Sequence, residues 1–116
     1  MDTPKIHEGE YRLCLILWES EPIRSPELVR QCKERLGWKE TTSYTVMKRL
    51  EERGVLRVEN KIVRSLYSKE QIQDAQMGEF VEKTFEGSLP AFIAAFCKRQ
   101  SLSEKDIEEI QRIIRG

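Results

Sequence analysis

Histidine and cysteine are scarce in this chain of 116 residues, which has His7 alone and three cysteines, Cys14, Cys32 and Cys97. The cysteines are far apart and form no C-x-x-C pair, so neither a disulfide framework nor a thiol-redox motif is indicated. A zinc site would need His7 and distant cysteines to converge, and no cofactor or metal is expected. Each cysteine stands among apolar neighbours at helical spacing, which predicts buried thiols in a reducing compartment. With no nucleophile–base pair and no phosphate loop to assemble, an enzyme is the least supported class of function. Long apolar runs are missing too: none approaches the roughly 20 residues that span a bilayer. The opening MDTPKIHEGE lacks the pattern of a signal peptide, so a cytoplasmic protein without membrane insertion is expected.

Net charge is also absent, and zero by itself favours no particular partner. Its distribution is more informative. From Gly37 to Lys69 eight cations face four acids, an excess of +4, while from Gln71 onward six cations face eight acids, or −2. A basic excess confined to one region suits a nucleic-acid contact through one face. The length fits one domain with an appendage, or two very small units.

The most informative stretch is Glu40 to Gly54, ETTSYTVMKRLEERG. At helical spacing Ser43, Val46, Met47 and Leu50 form one stripe, three of them apolar. The opposite side carries Thr41, Thr42, Tyr44, Thr45, Lys48 and Arg49, with no carboxylate before Glu51. Hydroxyls at the start and cations further along suit a recognition helix entering a DNA major groove. An ordinary amphipathic helix with threonine-rich ends is the alternative for the segment alone.

The neighbours decide between them. A first helix is predicted from Ile6 or His7 to Ser20, buried along Tyr11, Cys14, Leu15 and Trp18 with Leu17 close by, and Glu21-Pro22 stops it. Pro22-Ile23-Arg24 reads as an extended connection or a single strand rung. Ser25-Pro26-Glu27 offers an N-cap, a proline at the first helical position and an acid in the first turn. The second helix runs on through Leu28, Val29, Cys32 and Leu36 to Gly37, a natural terminator. Two helices so closely linked make a helix-turn-helix. Val55–Glu59 and Ile62–Tyr67 then predict a hairpin turning at Asn60-Lys61. Arg57, Lys61 and Arg64 give it a cationic end, so it reads as a DNA-contacting wing, with a plain surface ribbon as the alternative.

Beyond Ser68 the apolar residues thin out into helical stripes, over residues 69–86, 91–99 and from the S-x-x-D capping box at Ser103–Asp106 onward. Some 45 residues in three short helices enclose little apolar surface. Phe80, Phe92, Phe96 and Ile110 are therefore candidates for a homodimer interface, with a local core as the competing role. The fold expected is mainly α with a small β-hairpin: a winged helix-turn-helix over residues 1–68 and a three-helix dimerisation domain over 69–116.

The tract Trp18, Gly37-Trp38, Thr41-Thr42, Thr45, Arg49-Leu50 and Gly54, followed by Gly87-Ser88-Leu89-Pro90 and Leu102-Ser103, resembles the penicillinase repressor family, the BlaI/MecI type with its copper-responsive CopY relatives. The resemblance spans nearly the whole chain. It implies a homodimeric winged-helix repressor on a palindromic, double-stranded operator, controlling an antibiotic-response or related stress operon. It also implies, in the best-known members, a membrane sensor protease that cuts the dimerisation region between an Asn and a Phe. The matching position here is Ala95-Phe96, which keeps the Phe and lacks the Asn. The copper branch ends in a cysteine-rich metal motif, whereas this chain ends IQRIIRG. By the residues alone, Thr41, Thr42, Tyr44, Thr45 and Lys48 are expected to approach bases, and Arg49, Arg57, Lys61 and Arg64 to neutralise phosphates. The competing function is a winged-helix module that binds protein through the same face.

Overall fold

The structure, a computed structural model, describes residues 3–116. Its order is α1 (Glu8–Ser20), β1 (Ile23–Arg24), α2 (Ser25–Leu36), α3 (Glu40–Glu52), β2 (Leu56–Glu59), β3 (Ile62–Ser65), α4 (Lys69–Phe85), α5 (Leu89–Arg99) and α6 (Glu104–Arg115). Three helices, a small antiparallel sheet and three further helices bear out the predicted class. The chain forms two compact units that divide between Gln76 and Met77, so the first two turns of α4 belong to the first. Among the described residues no helix is long and apolar enough to cross a membrane.

In the first unit α1, α2 and α3 pack against one another and on one face of a sheet ordered β1-β3-β2. Leu13, Leu17, Leu28, Cys32, Leu50, Leu56, Val63 and Ile72 are almost fully excluded from solvent, and together they form one core. Gly37 ends α2 in the left-handed conformation (φ 71°) that a residue without Cβ adopts at little cost. This lets the Gly37 and Trp38 amides donate back to the carbonyls of Lys33 and Cys32 at 3.0 and 3.4 Å. Three residues later α3 begins. The hairpin turn has positive φ at both Asn60 (51°) and Lys61 (64°), the geometry of a two-residue turn matched to strand twist. Ile23 and Arg24 pair with Val63 and Ile62, so the extended connection after α1 is the third strand.

Several details differ from the sequence expectation. The buried side of α1 centres on Leu13, Cys14 and Leu17, while Tyr11, Leu15 and Trp18 are half-buried. Packing on α1 comes from α2, α3 and β3, which widens its buried arc. The two large aromatics lie at the margin because each has a polar tip to satisfy. Their rings meet edge to face at 5.7 Å; the Trp18 indole N–H donates to the Tyr67 carbonyl at 2.9 Å, and the Tyr11 hydroxyl accepts from Gln73 at 3.1 Å. The cap of α2 is Arg24, not Ser25: the Ser25 amide donates to the Lys61 carbonyl (2.8 Å), which draws that residue into the helix and buries it. Cys14 and Cys32 are buried as predicted, but Cys97 is exposed on α5. Burial, then the nearby Glu10 carboxylate, pushes the Cys14 thiol up to about 12, so it stays protonated.

The second unit is different in kind. Glu86 and Gly87 take positive φ between α4 and α5, Ser88 caps α5 by accepting from the Ala91 amide, and the Ser103–Asp106 capping box opens α6 as predicted. The rings of Phe80, Phe85 and Phe92 pack edge to face with centroids 5.5–5.9 Å apart, and Phe96 tilts against Phe92 at 6.3 Å. Around that cluster Met77, Leu89, Ile93, Ile107, Ile110, Ile113 and Ile114 remain exposed. Among the described residues of this unit, Val81 alone is buried.

The two sides of α3 should therefore answer differently to truncation. Leu50→Ala opens a cavity in the first unit's core and is expected to cost roughly 2–5 kcal/mol. Thr45→Ala, on the exposed side, should stay within about 0.5 kcal/mol. Denaturant unfolding of both variants checks the contrast, and equal losses would mean that the buried side of α3 has been misassigned.

Candidate nucleic-acid interface

The site grows from the amphipathicity of α3. Ser43, Met47 and Leu50 are buried and Val46 half-buried, so the helix is fixed in rotation about its own axis. Thr41, Thr42, Tyr44, Thr45, Lys48 and Arg49 are all exposed, Tyr44 by 46%. No side chain caps the start of α3, whose N-cap position is held by Lys39. The amides of its first turn thus face outward unpaired by any side chain, beside the hydroxyls of Thr41 and Thr42. Such an end can donate hydrogen bonds to an acidic partner, and Lys48 supplies positive charge one to two turns further on.

The hairpin contributes a second cationic element. Arg57 and Arg64 are cross-strand partners on β2 and β3, both exposed, and Lys61 is exposed at the turn. Arg57 Nε lies 2.9 Å from the Glu59 carboxylate, which offsets part of its charge. The sheet and α3 belong to one unit and β2 packs on α3. Arg49 lines an open depression of about 440 Å³ with His7, Glu10, Glu52 and Arg53.

The other sequence candidates lie in the second unit. Phe80, Phe96 and Ile110 are exposed and Phe92 is half-buried within the ring cluster. Phe92 thus has the local packing role that competed with an interface role, which does not preclude both. Ala95 is half-buried and Phe96 exposed, both inside α5 and beside a hollow lined also by Phe80, Phe85 and Phe92. Among the described residues no group of three or more His, Cys, Asp or Glu is placed to hold a metal ion.

One pair of structural importance was not singled out by the sequence pattern. Glu10 is buried, and its carboxylate accepts from the His7 amide at 2.7 Å and pairs with the guanidinium of Arg53, which caps the end of α3. Arg53 also donates to the Lys5 carbonyl at 2.6 Å. The far end of α3 is thereby clamped to the start of α1. The acid's place in the first turn of α1 was legible as a capping signal, but its partner lies 43 residues on, beyond any local pattern. Burial alone would raise the Glu10 pKa. The Arg53 hydrogen bond, the His7 amide and the positive charge of Arg53 outweigh it and hold the carboxyl below its ordinary value.

Three helices with a short link between the second and third, followed by a hairpin that an earlier strand completes, define a winged-helix protein. The chain belongs to the penicillinase repressor family, whose sequence model matches residues 6–116. It is similar to the methicillin resistance regulatory protein MecI of Staphylococcus aureus and of Mammaliicoccus sciuri, 23% identical over 97% of this chain and 94% of that protein. The penicillinase repressor of Bacillus licheniformis is 22% identical over 96% of this chain and 90% of its own length. The resemblance carried by the tryptophan, threonine and glycine motifs is thus borne out, and the family is one of transcriptional repressors.

The Glu10–Arg53 clamp makes a pH-dependent contribution to stability. A carboxyl held below its ordinary pKa stabilises the fold at pH values above that ordinary range, and the contribution disappears as pH falls through the lowered native value. Glu10→Gln should therefore be less stable than the parent at pH 7, with the gap closing below about pH 4. Denaturant midpoints across pH measure this. A gap that stayed constant with pH would show that the carboxylate's charge plays no part.

Proposed function

We propose that this chain is a sequence-specific DNA-binding repressor that acts in the cytoplasm as a homodimer on a two-fold symmetric operator, within an antibiotic-response or related stress operon. The carrying observation is the outer side of α3: exposed hydroxyls and cations beside an N-terminus that no side chain caps, with Glu40 the one carboxylate before Glu51. Family membership supports the reading, since the family is one of penicillinase repressors and its relatives include a penicillinase repressor and a methicillin resistance regulatory protein. Thr41, Thr42, Tyr44, Thr45 and Lys48 approach base edges, where hydroxyls and a cation discriminate donors from acceptors. Arg49, Arg57, Lys61 and Arg64 neutralise phosphate and set position rather than sequence preference.

The dimer rests on the second unit. Its exposed isoleucines, leucine, methionine and phenylalanines are too numerous for a surface left in water, and a second copy would cover them. Phe80, Phe92, Phe96 and Ile110 lie in that interface on this reading, with Phe92 also holding the ring cluster together. Two linked modules bind two half-sites far better than either alone, and the half-sites would stand about one helical turn apart, roughly 34–36 Å, or a multiple of it.

On this reading Thr45→Ala relaxes sequence preference by roughly 1–3 kcal/mol per lost base contact, while Lys61→Ala weakens all duplexes alike and lowers the salt slope by about one unit. Titrations on the upstream region of its own gene and on random duplex, over a salt series, separate the two. An unchanged ratio for Thr45→Ala would remove that face from base reading. A chain that binds only protein through α3 would show no salt-steep retention on either duplex.

The interface is best probed where a substitution leaves the ring cluster intact. Ile113 is 72% exposed, so Ile113→Asp should keep the helical content of the chain yet shift it to monomer and reduce operator affinity by orders of magnitude. Phe92→Asp should do the same with some loss of local order. Sedimentation at matched concentration decides, and a dimer untouched by both changes would count against this interface.

A further inference from the structure

The arginines of the first unit divide by partner. Arg12 pairs with Glu8, Arg30 with Glu27 and Glu34, Arg35 with Glu19, Arg53 with Glu10 and Arg57 with Glu59. Arg24, Arg49 and Arg64 have no carboxylate partner among the described residues, and all three are exposed. A paired arginine must break its ion pair to engage a phosphate, whereas an unpaired one need not. Arg49 and Arg64 already stand on the proposed DNA face. Arg24 lies between α1 and α2, far from that face in sequence, and no local pattern marks it.

The sheet register places it on the same sheet face as Arg64. Arg24 pairs with Ile62, and Ile62 in turn with Glu59; one residue along, Ile23, Val63 and Val58 form the row that faces the core. Side chains alternate across a strand, so Arg24, Ile62 and Glu59 share the outer face with Arg64 and Arg57. The Ser25 amide donates to the Lys61 carbonyl at 2.8 Å, which ties the hairpin turn to the end of β1 and sets Arg24 beside Lys61. Arg57 and Arg64 are direct cross-strand partners, an unfavourable like-charge arrangement that Glu59 only half offsets. A hollow of about 230 Å³ opens on this face between Arg57, Glu59, Asn60, Ile62 and Arg64. Arg24, Arg57 and Arg64 thus share one sheet face with the carboxylate of Glu59, with Lys61 at the adjoining turn, an arrangement that an anionic partner relieves.

We propose that Arg24 is a further phosphate-contacting residue, and that the outer face of the β1-β3-β2 sheet as a whole, not the hairpin turn alone, seats the backbone of duplex DNA. This rests on the DNA-binding reading above. The occupant is a duplex backbone because the cations are spread along a face several residues wide, which suits a line of phosphates better than one small anion.

The test titrates the full-length chain on a random-sequence duplex and on the upstream region of its own gene over a salt series, comparing the parent with Arg24→Gln, Arg24→Lys, Lys61→Ala and Arg12→Ala. Arg24→Gln should bind both duplexes several-fold more weakly, with an unchanged ratio between them and a salt slope lower by about one unit. Arg24→Lys should recover most of the loss and Arg12→Ala should match the parent. The Arg24 side chain is exposed and its pairing runs through the backbone, so circular dichroism should show both variants folded. Parent-like affinity and slope for Arg24→Gln, alongside a reduced slope for Lys61→Ala, would overturn the role of Arg24 and leave the DNA reading standing. A loss confined to one of the two duplexes would overturn the phosphate assignment. No salt-steep retention of the parent on either duplex would overturn the DNA reading and this inference with it.

Discussion

Burial of Met47 and Leu50 in the core shared by α1 and α2 is the constraint on which the first unit depends. A helix with two large apolar residues and a buried serine on one side can sit on that core in only one rotation. Once it does, Thr41, Thr42, Tyr44, Thr45 and Lys48 must point outward, whatever they then meet. The clamp of Arg53 on Glu10 and the Lys5 carbonyl fixes the far end, and the short link through Gly37 fixes the near end. Both ends of α3 are held, and its exposed carboxylates, Glu40, Glu51 and Glu52, stand at the two ends of the helix, so the stretch from Thr41 to Arg49 presents hydroxyls and cations rigidly.

The sheet adds a constraint of a different kind. Its third strand is only Ile23–Arg24, yet that rung closes β3 on one edge and hands the Ser25 amide to the Lys61 carbonyl. A two-stranded ribbon alone is marginal in water; a third rung and a buried face, through Ile23, Leu56 and Val63, hold it in place. The wing is therefore anchored at its turn as well as at its base. Its cations are carried on a surface whose shape is set by the core beneath it.

The second unit departs from this economy. It has well-capped helices and a ring cluster but almost no buried side chain, while its isoleucines, above all on α6, lie open. Helical propensity and caps suffice to define its elements; they do not cover its apolar surface. If a second copy supplies that cover, as proposed, the order of this unit depends on protein concentration, and affinity for DNA depends with it.

The sequence by itself determined what local chemistry governs: the order and kind of elements, the buried side of α3, the positive-φ turn at Asn60-Lys61, the Gly37 terminator and the Ser103 cap. Each follows from spacing or from one residue's backbone preference, and each was legible over a few neighbouring positions. Its motifs also sufficed to recognise the family. The precise buried arc of α1 was not legible, because three elements distant in sequence press on it and widen the stripe that periodicity suggests. Nor was the exposure of Cys97, whose apolar neighbours on α5 turn out to have little core to enter. Tertiary structure alone decided that Arg24 caps α2 in place of Ser25 and shares a sheet face with Arg64, and that Glu10 meets Arg53. Those outcomes arise from strand register and from ion pairs across tens of residues, where the partner's position exists only once the chain has folded.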